Sequence, residues 1–209
     1  MKHEDKEQAD TYDEVARSIG WDGPSIVFTL LSPILMKGQT VLDIGIGTGL
    51  GSEPLAQTGL RITGIDVSES MLAVCRKKGF ATPVRHDLTV LPYPFGTGTF
   101  DYVISTGVFQ FFVSLDRIFG EAARVLIQGG RFAFVTGDRA ENEPSEVIAG
   151  PEQTGTEESV TMYRHTPSEV SRWLEKNGLQ LLASQPFSVW MDESHTKLLP
   201  MQAYLAERR

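Results

Sequence analysis

The chain has 209 residues, 41% hydrophobic and 22% charged, proportions that suit one globular domain, spanning 1–209, large enough to bury a core. Its formal net charge of −8 argues against a nucleic-acid partner, since such binding rests on clustered Lys and Arg and the longest basic run is Arg76-Lys77-Lys78. No apolar stretch approaches a membrane span, the polar residues 1–8 hold no signal core, and a lone Cys75 gives neither a disulfide framework nor a zinc cluster, so the expectation is a cytoplasmic protein with a frayed start and no membrane or metal partner.

Residues 10–19 and 24–36 read as helices, the second with Pro24 near its first position and Pro33 bending or shortening it before Gly38. The run Val41-Leu42-Asp43-Ile44-Gly45-Ile46-Gly47-Thr48-Gly49-Leu50 then joins a buried strand, 40–46, to a helix over 50–58. Glycines at 45, 47 and 49 allow a tight turn and let a ligand lie against backbone amides near a helix N-terminus, so a nucleoside-like ligand is expected there. The dinucleotide fingerprint Gly-x-Gly-x-x-Gly is absent in every register, because the third position falls on Leu50, Ser52 or Pro54. Asp43, inside the strand, is costly to bury without a partner, and a cationic ligand group is one such partner.

A second strand, 61–66, ends at Asp66, about 20 residues past the turn, the offset at which a doubly wound sheet presents a carboxylate to ribose hydroxyls. Ser68 suits the N-cap of helix 69–78 and leaves Asp66 for the ribose. Strands follow at 82–87, 100–105 and 131–136, with an amphipathic helix over 114–126 before the last. Residues 138–161 hold Pro144, Gly150, Pro151 and Gly155 among many acids and read as a lid or a disordered insertion. Thr166-Pro167-Ser168-Glu169 is a capping box opening a helix that runs to Asn177 and stops at Gly178; strands at 179–190 and 198–206 complete the chain. Alternating helices and strands predict an α/β fold, a doubly wound, mostly parallel sheet covered on both faces.

The glycine turn with its preceding acid, the acid-terminated second strand, Val84-Arg85-His86-Asp87-Leu88, Phe100-Asp101-Tyr102-Val103-Ile104-Ser105 and Val125-Leu126-Ile127-Gln128-Gly129-Gly130-Arg131-Phe132 together resemble the class I S-adenosylmethionine-dependent methyltransferases of the small-molecule type. The resemblance covers residues 10–137 by motif and the remainder by layout. It implies a seven-stranded, Rossmann-like sheet with an antiparallel C-terminal edge pair, S-adenosyl-L-methionine as cofactor and S-adenosyl-L-homocysteine as product. It further implies that Asp43 holds the methionine moiety, Gly45, Gly47 and Gly49 pass under the cofactor, and Asp66 and Val67 meet the ribose side. Asp87 and the backbone of Leu88 would meet the adenine, Ser105 would line the cofactor site, and Tyr12 in an entry helix would close over it.

Methyl transfer from a sulfonium is an in-line displacement in which positioning supplies most of the acceleration, so a base is needed only if the acceptor must lose a proton. His165, just after the irregular segment and before the capped helix, is the catalytic candidate, ahead of His86 and Tyr163; the alternative is a surface or cap-adjacent histidine. Arg164 either pairs with an acidic substrate or is solvated. Phe109, Phe111 and Phe112 either wall the methyl site or belong to the core. No Asn-Pro-Pro-Tyr-type motif follows the fourth strand, which disfavours DNA and glutamine acceptors and leaves an O or N of a small molecule. Two other functions stand beside this one: a protein that binds the cofactor without transferring methyl, and an NAD-dependent oxidoreductase, disfavoured by the glycine spacing.

Overall fold

The structure, a computed structural model, describes residues 3–149, 159–191 and 195–209. The elements are α1 (His3–Ser18), α2 (Gly23–Leu31), β1 (Thr40–Ile44), α3 (Glu53–Ala56), β2 (Arg61–Asp66), α4 (Glu69–Lys78), β3 (Ala81–Arg85), β4 (Phe100–Ser105), α5 (Asp116–Val125), β5 (Leu126–Asp138), β6 (Glu146–Ala149), β7 (Val160–His165), α6 (Pro167–Lys176), β8 (Leu179–Trp190) and β9 (Leu198–Arg208). α1 starts at His3, where a frayed start was expected, because Glu, Lys, Gln and Ala in its first turns are good helix formers without a breaker. α2 carries a proline at its first turn and ends at Leu31; Pro33 sits in a 3-10 turn, Ser32–Ile34, so the helix is shortened rather than bent.

The sheet runs β3-β2-β1-β4-β5, all parallel, and continues through β9, antiparallel to β5, to β8. Those seven strands are the expected layout with its antiparallel edge pair. The remaining two form a hairpin in which β6 pairs antiparallel with β7, and β7 lies parallel to the end of β5 through Gly137↔Arg164 and Asp138↔His165. Within segment 138–161, Glu146–Ala149 and the residues from Val160 on are paired strand joined to the end of β5, 139–145 are turn and loop, and 150–158 lie outside the described residues.

Side chains alternate across the sheet and build two cores. On one face Leu42, Ile44, Val103, Phe132 and Phe134 pack under α5 and α6 with Phe119, Val170 and Leu174. On the other, Val41, Ile104, Ala133 and Val135 pack under α2, α3 and α4 with Val27, Leu31, Leu55 and Leu72. Phe132 stacks on Phe134 at 4.5 Å, Phe134 on Tyr204 at 5.1 Å, and Phe119 meets Phe134 edge-on at 4.8 Å. Each such side chain contributes roughly 1.5–3 kcal/mol through burial. Helix ends behave as their residues dictate: Ser68 accepts from the Met71 amide at 3.4 Å, and Thr166 and Glu169 complete a reciprocal capping box at 2.8 and 3.1 Å. The packing holds the carboxyl ends of β1, β2, β4 and β5 side by side, which is where ligands of open α/β sheets bind.

Candidate functional site

The glycine turn leaves β1 and is stitched to β2, with the amides of Gly45 and Ile46 both donating to the Ile65 carbonyl, at 2.8 and 3.0 Å. The Gly49 amide donates back to the Ile46 carbonyl at 2.8 Å and closes the turn against the 3-10 turn Leu50–Ser52 and α3. Helix 50–58 is thus split, its first turn tightened before Pro54. A Cβ on Gly45 would stand 2.6 Å from Val108, so close packing alone requires glycine there. Gly47 differs: its φ is +53°, yet a Cβ would meet nothing within 4 Å, so the space above it is open to a ligand.

Two carboxylates flank this floor. Asp43 is 1% exposed; Ser52 Oγ donates to its Oδ2 at 2.7 Å, while Oδ1 is enclosed with no partner among the described residues. Burial raises its carboxyl to about 7, the Ser52 hydrogen bond opposes that shift, and the nearby charge of Asp66 adds to it. Asp66 is not left free by Ser68: its Oδ1 accepts from the Ser68 amide at 2.8 Å and its Oδ2 from the Gly47 amide at 3.0 Å. Burial raises Asp66 against these bonds. Val67 adds a third backbone bond, and a carboxylate has about four acceptor sites, so the residue holds the glycine turn in place and still offers an acceptor to hydroxyls. Val67 beside it is 56% exposed, an apolar side chain uncovered at a strand end.

Helix α1 is clasped over this arrangement. Asp13 accepts from Thr48 Oγ1 of the glycine turn and from Lys78 Nζ of α4, both at 2.5 Å, and Lys78 also reaches Glu53 Oε1 at 2.5 Å. Tyr12 follows from that docking, since its hydroxyl lies 3.6 Å from where a Cβ of Gly107 would stand. Burial and the charges of Asp13 and Asp66 push its phenol up. Asp13 was missed in the sequence, where Tyr12 drew attention and an acid on a polar helix carried no signal of its own.

Other expected residues are placed less directly. Asp87 is exposed beyond the end of β3, and its Oδ1 accepts from the Thr89 amide and hydroxyl, both at 2.8 Å, which holds its carboxyl below the usual range. The Leu88 side chain is core, leaving its backbone for a ligand. Ser105 is fully buried and its hydroxyl donates to the Ile44 carbonyl at 2.8 Å, so it ties β4 to β1 and its side chain is committed to the sheet. His86 lies 2.8 Å from the Val90 carbonyl and edge-on to Tyr93. Cys75 is buried, in keeping with a structural role. Of the three phenylalanines Phe109 is core, Phe112 packs against that core and Phe111 is 49% exposed, so they do not form one wall.

His165 closes β7, in register with Asp138, and is 2% exposed rather than a surface residue. It lies edge-on to Trp173 at 5.2 Å, and its Nε2 is enclosed without a partner among the described residues. Burial holds the imidazole below the ordinary histidine value, with Arg139 acting in the same direction; Glu169 and the backbone of Phe109 and Phe112 oppose them. Arg164 points away from this group, paired with Glu143 at 3.3 Å and the Pro144 carbonyl at 3.0 Å. Among the described residues no group of three or more His, Cys, Asp or Glu is placed to hold a metal ion, and no helix is long and apolar enough to cross a membrane.

The arrangement fits a nucleoside cofactor with a cationic group. An enclosed carboxylate oxygen lacks a partner, an open floor lies above Gly47, and a second carboxylate stands at the end of β2. A family model described as a methyltransferase domain matches residues 42–134. A ubiquinone biosynthesis O-methyltransferase of Coxiella burnetii is 30% identical over 160 residues, covering 71% of this chain and 67% of that protein. One of Xanthomonas oryzae pv. oryzae is 26% identical over 206 residues, covering 88% of this chain and 85% of that protein. Among solved structures, a methyltransferase of Methanosarcina mazei shares the fold with a TM-score of 0.73 at 18% identity, over 86% of this chain and 96% of that one. The chain belongs to the class I S-adenosylmethionine-dependent methyltransferases. It is an enzyme of that class, and S-adenosylmethionine is its cofactor.

Proposed function

We propose that the enzyme methylates an oxygen or nitrogen of a small molecule, a hydroxyl oxygen in the first place, and that His165 takes the acceptor's proton. The observation that carries this reading is the enclosed Nε2, without a partner among the described residues, of an imidazole that burial holds below the ordinary histidine value. Transfer to an already nucleophilic atom would need no such group. The relatives named O-methyltransferases support an oxygen acceptor. The cofactor, when bound, supplies a methyl group on a sulfonium. That group would pass to the acceptor oxygen with the sulfonium leaving as neutral thioether, and the part of the chain's own residues is to take the hydroxyl proton, at His165, and hand it to water.

In this reading Asp43 Oδ1 receives the cationic amino group, the backbone at Gly45, Gly47 and Gly49 runs beneath the cofactor, and Asp66 with Val67 meets the ribose. Asp87 and the Leu88 backbone stand by the adenine, Ser105 contributes through its backbone, and Tyr12 closes the entry. The formal charge of −8 speaks for a small-molecule acceptor over nucleic acid. A cytoplasmic setting agrees with a lone buried thiol. The test is His165→Asn: turnover should fall about a hundredfold with S-adenosylhomocysteine affinity unchanged, and wild-type kcat/KM should rise with pH through an ionisation below the ordinary histidine value. A loss of less than about threefold, independent of pH, would remove His165 from the chemistry.

A further inference from the structure

One end of the sheet carries three enclosed polar atoms with no well-formed hydrogen bond among the described residues. Along β5 the side chains sharing one face are Phe132, Phe134, Thr136 and Asp138. The first two are buried in the aromatic cluster, and the row then turns polar toward its carboxyl end. β9 adds Tyr204, in register with Phe134 and stacked on it. Thr136 and Tyr204 are each 1% exposed, and Asp138 is half-buried at the mouth of the row. Thr136 Oγ1, Asp138 Oδ1 and Tyr204 Oη are enclosed without a well-formed hydrogen bond among the described residues. They are neighbours, since burial and the charge of Asp138 push the Tyr204 phenol up while the Thr136 hydroxyl beside it opposes that shift.

Packing does not call for these groups. Phenylalanine would stack on Phe134 as tyrosine does, and valine would fill the space of Thr136, both without stranding a hydroxyl. The row ends beside His165, the register partner of Asp138, whose Nε2 is also unpartnered. Four unsatisfied polar atoms thus collect at the carboxyl end of β5, where a ligand is expected in this fold.

We propose that Thr136, Asp138 and Tyr204 are the specificity end of the acceptor pocket and bind a second hydroxyl or amine of an acceptor whose reacting oxygen faces His165. This rests on the methyl-transfer reading given above. A carboxylate oxygen accepts and hydroxyls either donate or accept, so a group that does both satisfies all three. A carboxylate or phosphate would instead meet Asp138 with like charge. The acceptor is a neutral or cationic molecule with two such groups, not an acid. A six-membered ring carrying two such groups is the simplest molecule of this kind.

The experiment titrates the S-adenosylhomocysteine-loaded protein with benzene-1,3-diol, 3-aminophenol, phenol and benzoate, by calorimetry and thermal shift. The diol and the aminophenol should bind wild type about tenfold more tightly than phenol, and benzoate not at all. Thr136→Val and Tyr204→Phe should abolish that preference while leaving S-adenosylhomocysteine affinity unchanged and Tm unchanged or higher. His165→Asn should keep the preference while losing turnover, so failure of the base and failure of the specificity end appear in different readouts. Equal binding of the diol and phenol by wild type, or no binding of either, overturns the proposal. So does a lowered Tm in both hydroxyl-deleted variants with the preference intact, which would make these hydroxyls structural partners of buried water.

Discussion

Asp43→Asn should stabilise the protein without its cofactor and at the same time weaken cofactor binding. The folded carboxyl titrates at about 7 against an ordinary 3.8, so the folded state holds its proton more tightly than the unfolded chain. Stability therefore falls as pH rises from about 4 to about 7 and levels off above, by about 3 pKa units at ~1.4 kcal/mol each, or ~4 kcal/mol. Asparagine keeps the shape and an oxygen for Ser52 but strands amide hydrogens, at about 1–3 kcal/mol. The net gain at pH 8 is ~1–3 kcal/mol, roughly 2–10 °C in a domain of this size, and it should vanish or reverse at pH 5, where Asp43 is already neutral. Binding moves the other way, because a charge-assisted hydrogen bond worth about 1.5–3 kcal/mol is lost, which weakens S-adenosylhomocysteine about ten- to a hundredfold. In wild type that affinity should rise with pH up to about 7 and then level off. Calorimetric melting at pH 5 and pH 8, with titration of the cofactor product at both, reads every term. Wild-type affinity in Asp43→Asn, or a variant less stable than wild type at pH 8, would refute the reasoning.

Gly47→Val should abolish S-adenosylhomocysteine binding in a folded protein, because its side chain enters the open space over the turn, whereas Gly45→Ala, 2.6 Å from Val108, should lower Tm first; circular dichroism and calorimetry separate the two. Asp66→Ala removes the acceptor of the Gly47 and Ser68 amides together with the ribose contacts and should weaken binding at least about tenfold; a change under about twofold would leave Asp66 a turn-holding residue only. Lys78→Ala cuts the ion pair from α4 to Asp13 of α1 together with the one to Glu53 of α3 and should speed cofactor-product release about fivefold in stopped flow, while Arg76→Ala, which loses only a solvent-facing pair with Glu69, should not; equal rates would show that α1 does not gate the site.

The cofactor half of the site was legible because its chemistry is local. Asp43, the three glycines and Asp66 lie on two consecutive strand ends, and strand periodicity with turn glycines places them without tertiary information. Capping residues Ser68 and Thr166 were readable for the same reason. The opposite wall was not. β6 has four residues with one buried, and Pro144 and Gly155 flank it with loop chemistry, so its pairing with β7 is decided by the end of β5 rather than by its own pattern. Asp13 became visible only when α1 docked, and the second task of Asp66 only when the turn brought the Gly47 amide to it. The polar row on β5 was hidden because Thr136 and Asp138 continue the alternation that Phe132 and Phe134 begin, and Tyr204 joins them from a strand some seventy residues on by antiparallel register.

A crystal structure with S-adenosylhomocysteine bound tests the central claim most directly. The account predicts the amino group of the ligand within hydrogen-bond distance of Asp43 Oδ1, the ribose hydroxyls on Asp66, backbone contact at Gly47, and the sulfur facing the end of β5 beside His165. A ligand found instead in the cavity of about 430 Å³ bounded by Arg17, Trp21, Phe28, Leu50 and Gln57, with Asp43 Oδ1 still unpaired, would contradict it.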